Sequence, residues 1–122
     1  MIAGAHTIVY ADDANAARAF FRDALGFDAV DAGDGWLIFA LPPGELACHP
    51  GDAGGSELFF MCHDIEATVE ELRRRGVEFT TPVSDEGWGL LTRFAVPGAG
   101  EIGLYQPRHP SPLTAFGPPA AR

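Results

Sequence analysis

The sequence predicts an α+β domain made of two βαβββ modules, forming one curved mixed sheet around a groove with the helices on its outer face. Two observations carry this. Residues 6–27, HTIVYADDANAARAFFRDALGF, are answered 51 residues later by residues 57–79, ELFFMCHDIEATVEELRRRGVEF. In both, a short apolar run leads to an acidic pair or near-pair, then an amphipathic helix, a Gly and a Phe. After each helix come three short runs rich in β-formers, separated by Gly- and Pro-containing turns. A repeat at fixed spacing marks units that bury their surface against one another. A module of about 50 residues covers its sheet face poorly alone, whereas two side by side share a core.

The elements follow in order. Residues 6–11 read as a strand, with Ile8, Val9 and Tyr10 as β-formers. Asp12 and Asp13 supply a helix N-cap. Ala17, Phe20, Phe21, Ala24 and Leu25 keep the spacing of one buried stripe. Gly26 is placed to end that helix in the left-handed conformation. Strands are expected at 27–31, 36–41 and 45–49, with turns at 32–35 and 42–44. Residues 50–55, PGDAGG, open the break between modules. The pattern restarts with a strand at 56–62 and a helix capped by Asp64, buried through Ile65, Thr68, Val69 and Leu72 and closed by Gly76. Glu66 in its first turn and Arg73, Arg74 and Arg75 in its last suit the helix dipole. Strands at 77–82, 88–96 and 101–106 complete the second module. The whole is one domain: module 1 at 5–50, a linker at 51–55, module 2 at 56–107. The tail, 108–122, holds four prolines. It has no periodicity and is expected to be extended, packed on the body or a partner, or disordered.

Seventeen acids against eight bases give a formal charge of -9. Nucleic acid is excluded as a partner, because phosphate contacts need a basic face. A cationic ligand or a metal is compatible with it, and so is simple solubility. Cys48 and Cys62 lie in apolar runs and read as reduced core residues. The N-terminus lacks the basic start of a signal peptide, and no apolar run approaches the ~20 residues of a membrane span. The expectation is a soluble cytoplasmic protein with no membrane partner.

Three stretches carry a family resemblance. His6 is followed seven residues on by Asp13 and then by AARAFFRDALGF; the second module opens ELFFMCHDIEATVEELRRRGVEF; the last turn and strand read PGAGEIGLYQP. Together, in this order, they resemble the vicinal oxygen chelate superfamily, which includes glyoxalase I, extradiol dioxygenases, and bleomycin- and fosfomycin-resistance proteins. The resemblance spans residues 5–107. It implies the doubled βαβββ fold, a small-molecule substrate or ligand, and a homodimer.

In metal-using members, side chains from the first and last strands of each module point into the groove. Strand alternation places His6, Glu45, His49, Glu57 and Glu101 on or near that face, with the apolar alternates toward the helices. The resemblance implies His6, Glu45 and Glu57 as ligands of a divalent Zn, Ni, Fe or Mn, donors that suit those ions. A slip on the fourth strand would promote His49 instead. Glu57 and Glu101 are the candidate catalytic carboxylates. Gly103 stands where the family carries its last ligand, a Glu. Two functions are therefore implied: a metal-dependent lyase, isomerase or dioxygenase acting on a small oxygenated molecule, or a metal-free drug-binding protein of the bleomycin-resistance type. GWGLLTRF at 87–94 is similar to a strand of the latter. Under that reading Trp36, Phe59, Trp88, Phe94 and Tyr105 line the groove and His49 is a further ligand contact, with aromatic faces and carboxylates matched to a flat cation.

Overall fold

The computed structural model describes residues 6–45, 47 and 57–116. The fold is α+β. In the first module the Asp13 side chain accepts a hydrogen bond from the Ala16 N–H at 3.0 Å and starts α1, Ala14–Ala19. The helix then widens into a π-helical turn, Phe20–Ala24, and Gly26 closes it at φ +71°. β1, Ala29–Asp31, and β2, Leu37–Phe39, pair antiparallel. Their connection is held by the Asp31 carboxylate, which accepts from the N–H groups of Gly33 and Gly35.

The second module is the more complete. β3, Phe59–Met61, precedes α2, Ile65–Arg74. Asp64 caps α2 by accepting from the Ala67 N–H at 3.1 Å, and Gly76 follows it at φ +88°. Then come β4, Ser84–Asp85, β5, Gly89–Val96, and β6, Gly100–Pro107. The sheet order is β3-β6-β5-β4, with β3 parallel to β6 and the other pairs antiparallel. Parallel pairing of β3 with β6 requires a crossover, and α2 begins it.

Alternation divides this sheet into two faces. Thr92, Phe94 and Val96 on β5, and Ile102 and Leu104 on β6, are nearly inaccessible and pack toward the helices. Ile65 and Val69 from α2 meet them, as do Ala17 and Phe20 from the first helix. Phe94 is 0% exposed, its ring surrounded by those of Phe20, Phe60 and Phe79. The turn at 97–100 docks on the start of the first helix, where the Asp12 N–H donates to the Gly98 carbonyl at 2.6 Å. Among the described residues, neither α1 nor α2 packs on the opposite face of the sheet.

Several expectations are corrected. Residues 6–11 join no strand ladder among the described residues, and Tyr10 is 86% exposed. Only Ala11, at the end of this segment, packs against the core, and no backbone hydrogen bond from 6–11 is found among the described residues. The strand expected at 77–82 reduces to one bridge, Phe79 to Phe94. Pro82 lacks a donor for a longer ladder, and pairing resumes in β4. Of the strand expected at 45–49, Glu45 and Ala47 are described and neither joins a ladder. Cys48, His49 and the linker at 51–55 lie outside the described residues. Among the described residues, no helix is long and apolar enough to cross a membrane.

Candidate functional site

The helix-free face of the second sheet is built by register. Phe59 stands opposite Gly103, which stands opposite Arg93; Met61 stands opposite Tyr105, which stands opposite Leu91. These residues project from the same side. Gly103 has no side chain, and the Phe59 ring fills the space above it so fully that a Cβ at 103 would collide with the ring. The Arg93 guanidinium lies 5.4 Å from the centre of that ring, and Glu57 is 4.0 Å from Arg93. Tyr105 sits between two aromatic edges, with ring centres 6.0 Å from Phe59 and 5.4 Å from Trp88.

At the Tyr105 end the face turns polar. The Tyr105 hydroxyl donates to Glu45 Oε1 at 2.6 Å, and Ser111 Oγ donates to Glu45 Oε2 at 2.6 Å. His109 Nε2 lies 3.3 Å from the Tyr105 hydroxyl and 3.6 Å from Glu45 Oε1. Burial raises the Tyr105 phenol well above its ordinary range, and the Glu45 charge adds to the effect, so the phenol stays a neutral donor. Burial alone would also raise the Glu45 carboxyl. The hydrogen bonds from Ser111 and Tyr105, with the field of His109, together outweigh it and hold the group below the usual carboxylate range.

The expected metal donors do not converge within the chain. His6 is exposed on the unpaired segment. Glu45 is engaged by Tyr105 and Ser111, Glu57 lies beside Arg93, and Glu101 accepts from Thr80 Oγ1. Among the described residues no three His, Cys, Asp or Glu side chains are grouped as a metal site. The position that would complete such a site, residue 103, is covered by a phenyl ring. A divalent ion needs several convergent donors, and the described residues of one chain do not bring such a set together.

Phe94 belongs to the core and not to the ligand face, which corrects its expected role. The same alternation that sets Tyr105 on the open face sets Phe94 on the helix side and Arg93, its neighbour, on the open one. Arg93 was therefore legible from the strand pattern. His109 and Ser111 were not, since a Pro-rich segment gives no periodicity from which to orient a side chain. Trp36, 63% exposed, stands apart from this face beneath the Arg18 guanidinium at 4.7 Å.

Two strand–helix units, one with a four-stranded mixed sheet, define an α+β class of fold. The chain belongs to the Glyoxalase/Bleomycin resistance protein/Dioxygenase superfamily, whose family model matches residues 4–102. It is 33% identical to the uncharacterized protein YetH of Bacillus subtilis (strain 168), over 70% of this chain and 82% of that protein. It resembles the crystal structure of TnmS3, an antibiotic binding protein from Streptomyces sp. CB03234. That match has a TM-score of 0.61 and 29% identity, and covers 88% of this chain and 99% of the other. The lactoylglutathione lyase from Agrobacterium tumefaciens shares the fold at TM-score 0.59 and 21% identity, over 85% and 92% of the two chains.

Proposed function

We propose that this protein binds a small aromatic molecule, of the antibiotic-sequestering kind, on the open face of its second sheet and without a metal. The observation that carries this reading is the Phe59 ring over Gly103. Where a metal enzyme of this family would place its last carboxylate, this chain places an apolar surface. Phe59 and Trp88 flank Tyr105, itself 8% exposed, in a continuous aromatic wall beside Glu45 and Glu57. Flat rings stack on such a wall, and a positive charge gains from both the ring faces and the carboxylates. The likeness to an antibiotic binding protein at 29% identity supports the same reading. Glu57 and Glu101 then act as polar rim residues rather than as proton-transfer groups. The binding unit is a homodimer.

The test is calorimetric titration with metal-free bleomycin and with proflavine, a planar aromatic cation, in the presence of a chelator. The expected result is saturable binding at one site per chain by at least one of them. Trp88→Ala weakens that binding at least tenfold, and His6→Ala leaves it unchanged. Uptake of about one Ni²⁺ or Zn²⁺ per chain that His6→Ala abolishes would overturn the reading and return the protein to the metal-dependent enzymes.

A further inference from the structure

The segment after β6 turns back over the polar end of the binding face. Its first residue, Arg108, donates its backbone N–H to the Trp88 carbonyl, and its guanidinium meets Asp85 at 2.7 Å. His109 lies against the Tyr105 ring, centres 5.9 Å apart, and its Nδ1 is 2.8 Å from the Pro110 carbonyl. Ser111 is 5% exposed, gives its hydroxyl proton to Glu45, and accepts from the Leu113 N–H. The far end is held by Phe116, stacked on the His63 ring at 4.5 Å. Contacts to Asp85 and Trp88, to Tyr105, to Glu45 and to His63 thus fasten one short stretch, and the one to Glu45 uses a carboxylate that comes from the loop after Pro42, Pro43 and Gly44.

A carboxylate whose side chain is only 17% exposed has both oxygens taken, one by the sheet through Tyr105 and one by the tail through Ser111. Buried charges are kept where they are fully hydrogen-bonded. Remove the tail from Glu45 and one oxygen loses its donor, while the flank of the Tyr105 ring that His109 covers is laid open. The tail therefore holds the donor positions that a ligand amine or guanidinium would need.

We propose that residues 108–116 form a strap that closes the polar end of the binding face by fastening to Glu45, and that a cationic ligand reaches Tyr105 by displacing Ser111 and His109 from that carboxylate. This rests on the proposed ligand-binding role of the same face. The strap has a consequence that binding alone does not: loosening it strengthens ligand binding, provided the carboxylate remains.

The experiment is hydrogen–deuterium exchange on the full-length chain, paired with proflavine titration, for the wild type, Ser111→Ala and Glu45→Gln. The expected result is exchange in residues 108–116 at least tenfold faster in both variants, with α2 unchanged. Proflavine affinity rises at least threefold in Ser111→Ala and falls below wild type in Glu45→Gln. Unchanged exchange in both variants would show that the segment is not fastened by Glu45 and would overturn the proposal. So would faster exchange in Ser111→Ala with no gain in affinity, because the strap would then close nothing. If proflavine binds none of the three proteins, the ligand class proposed for the face fails and displacement by such a cation falls with it. The exchange rates still decide whether Glu45 fastens the strap.

Discussion

At Gly103 a hydrogen stands where a side chain would meet the Phe59 ring. The physical content of that pair is volume. A methyl group at 103 overlaps the ring, so Gly103→Ala forces Phe59 off its rotamer or shifts β3 against β6. Overpacking of this kind costs about 1–3 kcal/mol. The expected outcome is a lower melting temperature for Gly103→Ala, largely recovered when Phe59→Ala is added, with thermal denaturation of the four proteins in the cycle as the measurement. Equal destabilisation by Gly103→Ala in both backgrounds would mean the ring does not occupy that space. At this scale the sequence was partly legible. Gly103 was visible as the residue out of pattern, but what fills its place depends on the register of β3 against β6, which no single strand specifies.

Among the elements, the helices were the most legible. Asp13 and Asp64 cap them as their spacing requires, and Gly26 and Gly76 close them with positive φ. These signals act within one turn and need no partner. Strands depend on partners, and there the reading was weaker: residues 6–11 have β-forming side chains but no ladder partner among the described residues. The strap lay beyond periodicity altogether. Its chemistry nevertheless gives a prediction. Asp85 is held below the ordinary carboxylate range by the Gly87 N–H and by Arg108, and Glu45 is also depressed, as described above. A carboxylate with a depressed pKa in the folded state contributes stability above its unfolded pKa, and that contribution is lost as pH falls through the folded value. The strap is therefore fastened at neutral pH and loosens below about pH 4, the unfolded carboxylate range. Exchange in 108–116, corrected for its intrinsic pH dependence, is expected to quicken there before exchange in α2 does. Simultaneous loss of protection in both would show that the strap is not a separate acid-sensitive unit.

At the scale of the whole molecule the two modules are unequal. The second has a four-stranded sheet, whereas the described part of the first has only the β1–β2 pair. Two short strands are marginal alone. Residues 6–11 join no ladder among the described residues, with Ile8 61% and Tyr10 86% exposed. Unpaired β-forming backbone with apolar side chains is a template for pairing with another chain, and β3 and β4 are the outer strands of the larger sheet. A second copy of this chain is the expected partner, since each copy offers one such segment and two outer strands. The expected mass by light scattering is twice the 13.0 kDa of one chain. Ile8→Lys combined with Tyr10→Lys is expected to give the single-chain mass with the helical circular dichroism retained, because neither side chain belongs to the core that holds α1 and α2. The wild-type melting temperature should also rise with protein concentration, as association with the folded state requires, and that dependence should vanish in the double variant. A wild-type mass of one chain, with a melting temperature independent of concentration, would rule out the dimer and leave residues 6–11 as an exposed edge with no partner.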